Sequence, residues 1–269
     1  MKKLIILALS VLFVLCVLSC DGSVYSSVVD STTETTYAVG DKGPAGGIVF
    51  YDCDADNGNE ENDGLESSVC GWRYLEAAPA NLRVVGGTPT VDSSLDGYDD
   101  APIGYKFGYY RTSAGGPELY VNGTETYDTT PVTEQGIGTG EQNTEWLLKA
   151  MKDEAYMYIH TDSENSKTTN EYAAKLCDNL TYNGYSDWFI PSIYELIAMY
   201  ENLHKEEIDI FDTTINYWSS TEVEPDNDGS WADTVYIGFF GTGDFGANYR
   251  GLSSIDTSPE NMIRPIRAF

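Results

Sequence analysis

Asp52, Asp54 and Asp56 alternate along the chain, with Gly58 and Asp63 close behind. Alternate carboxylates in a tight loop can surround a hard cation with oxygen, so calcium is the one cofactor these residues suggest. The glycine falls one place late for a helix–loop–helix calcium motif, and no glutamate closes the run. A solvated acidic loop is the competing reading. Cys53 and Cys70 bracket this run, and outside the cytoplasm two of the three cysteines Cys53, Cys70 and Cys177 can pair. A Cys53–Cys70 bridge is the expected pairing, because it would confine a self-repelling segment. Cys177 lies beside Leu176 on an apolar face and reads as a buried structural thiol.

Catalytic signatures are sparse. His160 and His204 are the only histidines and stand far apart, and neither a G-x-S-x-G elbow nor an H-E-x-x-H helix occurs. The 43 acidic residues make some carboxylate pair inevitable, so no particular pair is singled out. The expectation is a protein that binds rather than catalyses. Trp231, Tyr249 and Arg250 are the candidate ligand contacts, since aromatic faces stack on sugar rings while polar neighbours take the hydroxyls. Trp188 and Trp218 are expected in the core. Glu224-Pro225-Asp226 and Trp231-Ala232-Asp233 only loosely match the sugar-binding signature of calcium-dependent lectins and are taken as loop.

Where such a protein would work is written in the first twenty residues. Lys2 and Lys3 precede an apolar run from Leu4 to Leu18, too short for a typical membrane span and flanked as secretory signals are. Val17-Leu18-Ser19-Cys20 resembles a bacterial lipobox, which implies lipidation of Cys20 and a protein of the bacterial cell envelope, anchored to the membrane by lipid. Residues 1–19 then form the signal peptide, 20–36 a Ser/Thr-rich tether, and 37–269 a folded domain. The whole chain carries a formal charge of −28, and without Lys2 and Lys3 the remainder carries −30. With no cluster of Lys and Arg to offset it, this charge repels phosphate backbones and excludes a nucleic-acid partner.

The elements that must position these residues are short. Ile48–Tyr51, Trp72–Ala77, Tyr217–Thr221, Thr234–Phe240 and Met262–Ala268 read as strands, and the region between Asn81 and Gly140 as loops with short strands. Helical periodicity runs from Asn143 to Met157 and from Thr169 to Leu180. Ser192-Ile193-Tyr194-Glu195 behind Pro191 is a capping box, followed by Leu196, Met199, Tyr200 and Leu203 at helical spacing. Strand, loops, helices and then strands predict an α+β domain.

Several stretches together resemble one family. They are Val39-Gly40-Asp41-Lys42-Gly43-Pro44-Ala45-Gly46-Gly47-Ile48-Val49-Phe50-Tyr51, Gly71-Trp72-Arg73-Tyr74-Leu75-Glu76-Ala77-Ala78-Pro79, and Tyr182-Asn183-Gly184-Tyr185-Ser186-Asp187-Trp188-Phe189-Ile190-Pro191-Ser192 with Glu195-Leu196. Tyr217-Trp218-Ser219-Ser220-Thr221 and Ile263-Arg264-Pro265-Ile266-Arg267-Ala268-Phe269 complete the set, with Ile137-Gly138-Thr139-Gly140 and Asn143-Thr144 in keeping. From Val39 to Phe269 the chain is similar to the C-terminal domain family of the Lcl collagen-like adhesin. The resemblance implies a C-type-lectin-like fold, related to that of formylglycine-generating enzymes, with short antiparallel strands, about three helices and long loops. It also implies adhesin-like binding of a glycan or a protein. The namesake binds sulfated polysaccharides, but the collagen-like repeats are missing here and the charge opposes an anionic ligand. Cysteines late in the chain, on which formylglycine-generating enzymes depend, are also missing after Cys177. The competing functions are an assembly module of the envelope and a carboxylate-dependent hydrolase.

Overall fold

The computed structural model describes residues 35–55, 70–95, 104–107, 133–151, 155–158, 167–209, 211–223, 234–249 and 261–269. The chain divides into Met1–Thr35 and Thr36–Phe269, and the second unit carries the fold. Cys20 lies outside the described residues. No described helix is long and apolar enough to cross a membrane.

The fold is mixed α and β, with small antiparallel sheets and, among the described residues, three α-helices. β1 (Ile48–Asp52), β2 (Tyr74–Ala77) and β10 (Ile266–Ala268) form one sheet in the order β1-β2-β10. β7 (Tyr217–Glu222), β8 (Thr234–Phe239) and β9 (Asp244–Tyr249) form another in sequence order. Two hairpins, β3 (Arg83–Val85) with β4 (Thr88–Thr90) and β5 (Ala155–Tyr158) with β6 (Lys167–Thr169), stand apart from these sheets. The helices are α1 (Gly140–Met151), α2 (Ala173–Asp178) and α3 (Ile193–Met199).

α3 starts where its local chemistry requires. The Ser192 side chain accepts from the Glu195 amide and the Glu195 side chain accepts from the Ser192 amide, a complete capping box. Past Met199 the helix widens into a π-turn, Tyr200–His204, closed by the Lys205 amide on the Tyr200 carbonyl at 2.9 Å. The other two helices differ from their sequence patterns. α1 begins three residues before Asn143 and ends at Met151, and Ala155–Tyr158, expected as its last turn, is strand β5. α2 begins at Ala173 because Lys167–Thr169 is taken up by β6. In both places an aromatic or β-branched segment satisfies its backbone across a hairpin, and that pairing overrides helical periodicity. β9 had no sequence signal, since its Asp, Gly and Asn are poor strand formers. It exists because β8 supplies a ladder of six paired residues, from Thr234↔Tyr249 to Phe239↔Asp244. Of Met262–Ala268 only Ile266–Ala268 is strand, and Met262 forms a single bridge to Tyr217.

Two clusters of buried side chains hold the elements. Leu147 of α1, Leu176 and Cys177 of α2, Trp188 and Trp218 make the first. Trp218 is fully buried, donates from Nε1 to the Tyr105 carbonyl at 2.7 Å, and meets Phe107 edge to face. Cys177 is the buried thiol expected, and burial, with Asp178 adding to it, pushes its pKa well above the ordinary value. The second cluster joins β1, β2 and β10 to Leu196, Met199 and Leu203 and to the rings of Phe211, Tyr217 and Phe240.

Candidate functional site

Segments around Ala45, Glu76, Asp187 and Arg267, far apart in sequence, meet around one ion-pair centre. Glu76 lies in the middle of β2 and is fully buried, with Arg267 of β10 directly opposite in register. Arg267 donates from Nη1 to Glu76 Oε1 at 2.8 Å, and from Nε and Nη2 to the two Asp187 oxygens at 2.9 and 2.8 Å. Its guanidinium carbon lies 4.2 Å from the centre of the Tyr185 ring. Glu76 Oε1 also accepts from the Ala45 amide at 3.2 Å, and the Asn183 amide group donates to the Ala45 carbonyl at 2.8 Å. The glycines of the first stretch serve close approach. A Cβ at Gly43 would overlap the Glu76 carboxylate, and one at Gly47 the Ala77 carbonyl. The remaining connections are backbone bonds between Phe189 and Ile266 at 2.9 and 3.0 Å, and from the Trp218 amide to the Met262 carbonyl at 3.0 Å. Glu76 and Arg267 are buried scaffold that fastens strands and loops together, while Asn183 and Asp187 keep exposed surface.

Beside this centre a concavity of about 140 Å³ opens between α1 and the Ser186–Phe189 segment. Glu141, Thr144, Glu145 and Leu148 line it from α1, with Asp178, Ser186, Asp187, Trp188 and Phe189 opposite. Its two described aromatics, Trp188 and Phe189, are buried floor rather than exposed platform. The carboxylates at its mouth differ in state. Burial raises Glu141 above the ordinary glutamate value, and repulsion from Glu145 and Asp187 adds to the shift. For Asp187 burial acts upward too, but the hydrogen bonds and charge of Arg267 outweigh it and hold the acid below its usual range. Sequence reasoning missed this concavity, since its acids come from two helices and a turn.

The other candidates sit elsewhere. Cys53 and Cys70 form the disulfide, which spans 17 residues and restricts the unfolded chain by about 3 kcal/mol. Asp52 and Asp54 both face Arg73: Nε lies 3.1 Å from Asp52 Oδ1 and 3.3 Å from Asp54 Oδ2. A guanidinium therefore already supplies the positive charge that a bound cation would bring to these two acids. Asp56 and Asp63 lie outside the described residues, and among the described residues no group of three or more His, Cys, Asp or Glu is placed to hold a metal.

Trp231 and Arg250 also lie outside the described residues. Tyr249 ends β9 opposite Thr234, the residue that opens β8. Chain connectivity alone brings Arg250 within one residue of that rung and Trp231 within three. Of the three candidate ligand contacts, Tyr249 alone is therefore placed, at the end of the β8–β9 ladder.

No protein-family model matches the chain, and no curated protein does. The site is accordingly read from its own geometry.

Glu195 is the other carboxylate with an unusual state. It is fully buried, and desolvation, opposed by amide hydrogen bonds from Ser192 and Gly138, pushes its pKa up to about 7. Such a value suits general acid–base work. However, Glu195 does not line the concavity and is sealed from solvent, so it has no route to a substrate.

Proposed function

We propose that this chain is a lipid-anchored bacterial surface protein whose domain, C-type-lectin-like and akin to the Lcl adhesin C-terminal family, binds a glycan or a protein without catalysis. The observation that carries the reading is the division of labour around Arg267. Glu76, Arg267 and Asn183 are spent on joining strands and loops, while Tyr249 ends the β8–β9 ladder outside those motifs, with Arg250 next to it in sequence and Trp231 three residues before Thr234. The formal charge of −30 beyond Lys3 favours neutral or cationic ligands over sulfated polymers.

A glycan array and pull-down with the soluble domain, with and without Trp231→Ala, tests the reading. Aromatic anchors commonly dominate binding energy, so Trp231→Ala is expected to weaken binding at least tenfold, about 1.4 kcal/mol, with an unchanged melting curve. Heparin is expected to bind poorly even at low salt. Tight heparin binding defeats the charge argument, and an unaltered affinity in the variant removes Trp231 from the site. The raised pKa of Glu141 beside Asp187 is the observation that favours a hydrolase instead. Glycan turnover abolished by Glu141→Gln would establish that alternative. The anchor is tested separately: Cys20→Ser is expected to abolish incorporation of a fatty-acid probe, and equal labelling of the variant would refute the lipobox.

A further inference from the structure

Tyr182-Asn183-Gly184-Tyr185 is a tight turn closed by two hydrogen bonds. The Tyr182 amide donates to the Tyr185 carbonyl at 2.9 Å, and the Tyr185 amide to the Tyr182 carbonyl at 3.0 Å. Its central residues, Asn183 and Gly184, have φ of 50° and 86°, the left-handed region that asparagine and glycine tolerate. From this turn Asn183 Nδ2 donates to the Ala45 carbonyl at 2.8 Å and fastens the loop 43–47, 138 residues away in sequence. That loop passes over the buried Glu76 carboxylate, which the Ala45 amide meets at 3.2 Å. The fit is close, since a Cβ at Gly46 would stand 2.9 Å from Asn183 Nδ2.

The same dipeptide has a reactivity of its own. An asparagine side chain followed by glycine is open to attack by the next backbone nitrogen, because glycine has no side chain to block the approach. Of the pairs Asn57-Gly58, Asn122-Gly123 and Asn183-Gly184, only the last lies among the described residues. Asn183 is exposed, and no backbone hydrogen bond among the described residues engages the Gly184 nitrogen. Beyond its chain neighbours, no atom lies within 4 Å of where a Gly184 Cβ would stand. The nucleophile is therefore accessible. What is held out of place is the electrophile, the Asn183 carboxamide carbon, which the hydrogen bond keeps at Ala45.

We propose that Asn183 is a modification site, deamidated spontaneously through the Gly184 nitrogen at a rate limited by the hydrogen bond to Ala45, and that its conversion unfastens the loop 43–47. The Gly184 nitrogen gives its proton to solvent base and bonds to Asn183 Cγ; the Cγ–Nδ2 bond breaks, and ammonia leaves with a proton from water. Water then opens the five-membered imide at either carbonyl, giving aspartate or isoaspartate with no net oxidation or reduction. Either product replaces the amide donor with a carboxylate. A carboxylate cannot donate to the Ala45 carbonyl, so the tie is lost irreversibly. Lys42, whose Cε stands 3.5 Å from the same Gly46 position, offers the new charge only an exposed ion pair, which is worth little. The site is a property of the turn and stands whether or not the domain takes a ligand.

Peptide mapping of the full chain, incubated at mildly alkaline pH in native buffer and in urea, is the test. Conversion at Asn183 is expected in both, about tenfold slower in the native protein, because one hydrogen bond must break first. Gly46→Ala, whose methyl crowds Nδ2, is expected to raise the native rate towards the unfolded one while amides of the β8–β9 ladder keep their protection. A native rate equal to that in urea overturns the proposal, and so does a native rate that Gly46→Ala leaves unchanged. A native chain still unconverted when the unfolded one is complete overturns it as well. Should the variant not fold, amide exchange of the aged wild type decides. Faster exchange across residues 43–47 in converted than in unconverted molecules supports the proposal, and equal exchange refutes it.

Discussion

Replacing Arg267 with methionine is expected to destabilise the domain by about 3–5 kcal/mol, because it leaves a buried charge without its partner. Glu76 has no exposure, and its two recorded donors are Arg267 and the weaker Ala45 amide. The same change cuts both hydrogen bonds to Asp187, which is half exposed and can turn to water at little cost. The loss therefore belongs mainly to Glu76. Removing both charges distinguishes an ion pair from simple packing: Glu76→Gln with Arg267→Met is expected to recover a large part of the deficit. Arg267→Lys should fall between, since it keeps the charge and loses the two-pronged grip on Asp187. Urea unfolding of the four proteins measures all of this. A single methionine variant within about 1 kcal/mol of wild type would show that Glu76 finds other solvation and that Arg267 is no keystone.

Trp218→Ala is expected to cost a similar amount, about 3–5 kcal/mol, through cavity formation. The indole is fully buried in the first cluster and donates to the Tyr105 carbonyl, which also accepts from the Asn261 amide at 3.2 Å, so the variant loses packing and the shorter of that carbonyl's two hydrogen bonds together. Trp218→Phe separates the two effects, since it keeps much of the ring and removes the donor; about 0.5–1.5 kcal/mol is the expected cost of that one hydrogen bond, because the Tyr105 carbonyl keeps the Asn261 amide. The contrast with Trp231→Ala is the informative part. One tryptophan should change the unfolding midpoint and the other should change binding. A Trp218→Ala domain as stable as wild type would place that ring outside the load of the core.

How much of this was legible from sequence depended on the distance over which each interaction acts. The α3 capping box is complete within four residues, and Ser192-Ile193-Tyr194-Glu195 announced it without ambiguity. β1 and β7 were visible because compact apolar or β-branched runs favour strand wherever they pack. The Cys53–Cys70 bridge followed from the acidic run it brackets. β5, β6 and β9 were not legible, because their backbone conformation is chosen by a partner strand and their own residues are neutral or contrary.

The same rule governs the site. The types of Trp231, Tyr249 and Arg250 could be weighed from sequence, but that Tyr249 pairs with Thr234 required the β8–β9 register. Arg267 reads as an ordinary terminal cation until tertiary structure sets it against Glu76, 191 residues away. Glu195 reads only as the last letter of a capping box, since its second tie, to Gly138, spans 57 residues. Sequence determined the local signals: caps, apolar runs, net charge and the candidate anchor. Tertiary structure alone decided which charges are buried and which of them face a partner, because desolvation depends on every segment that closes over a group.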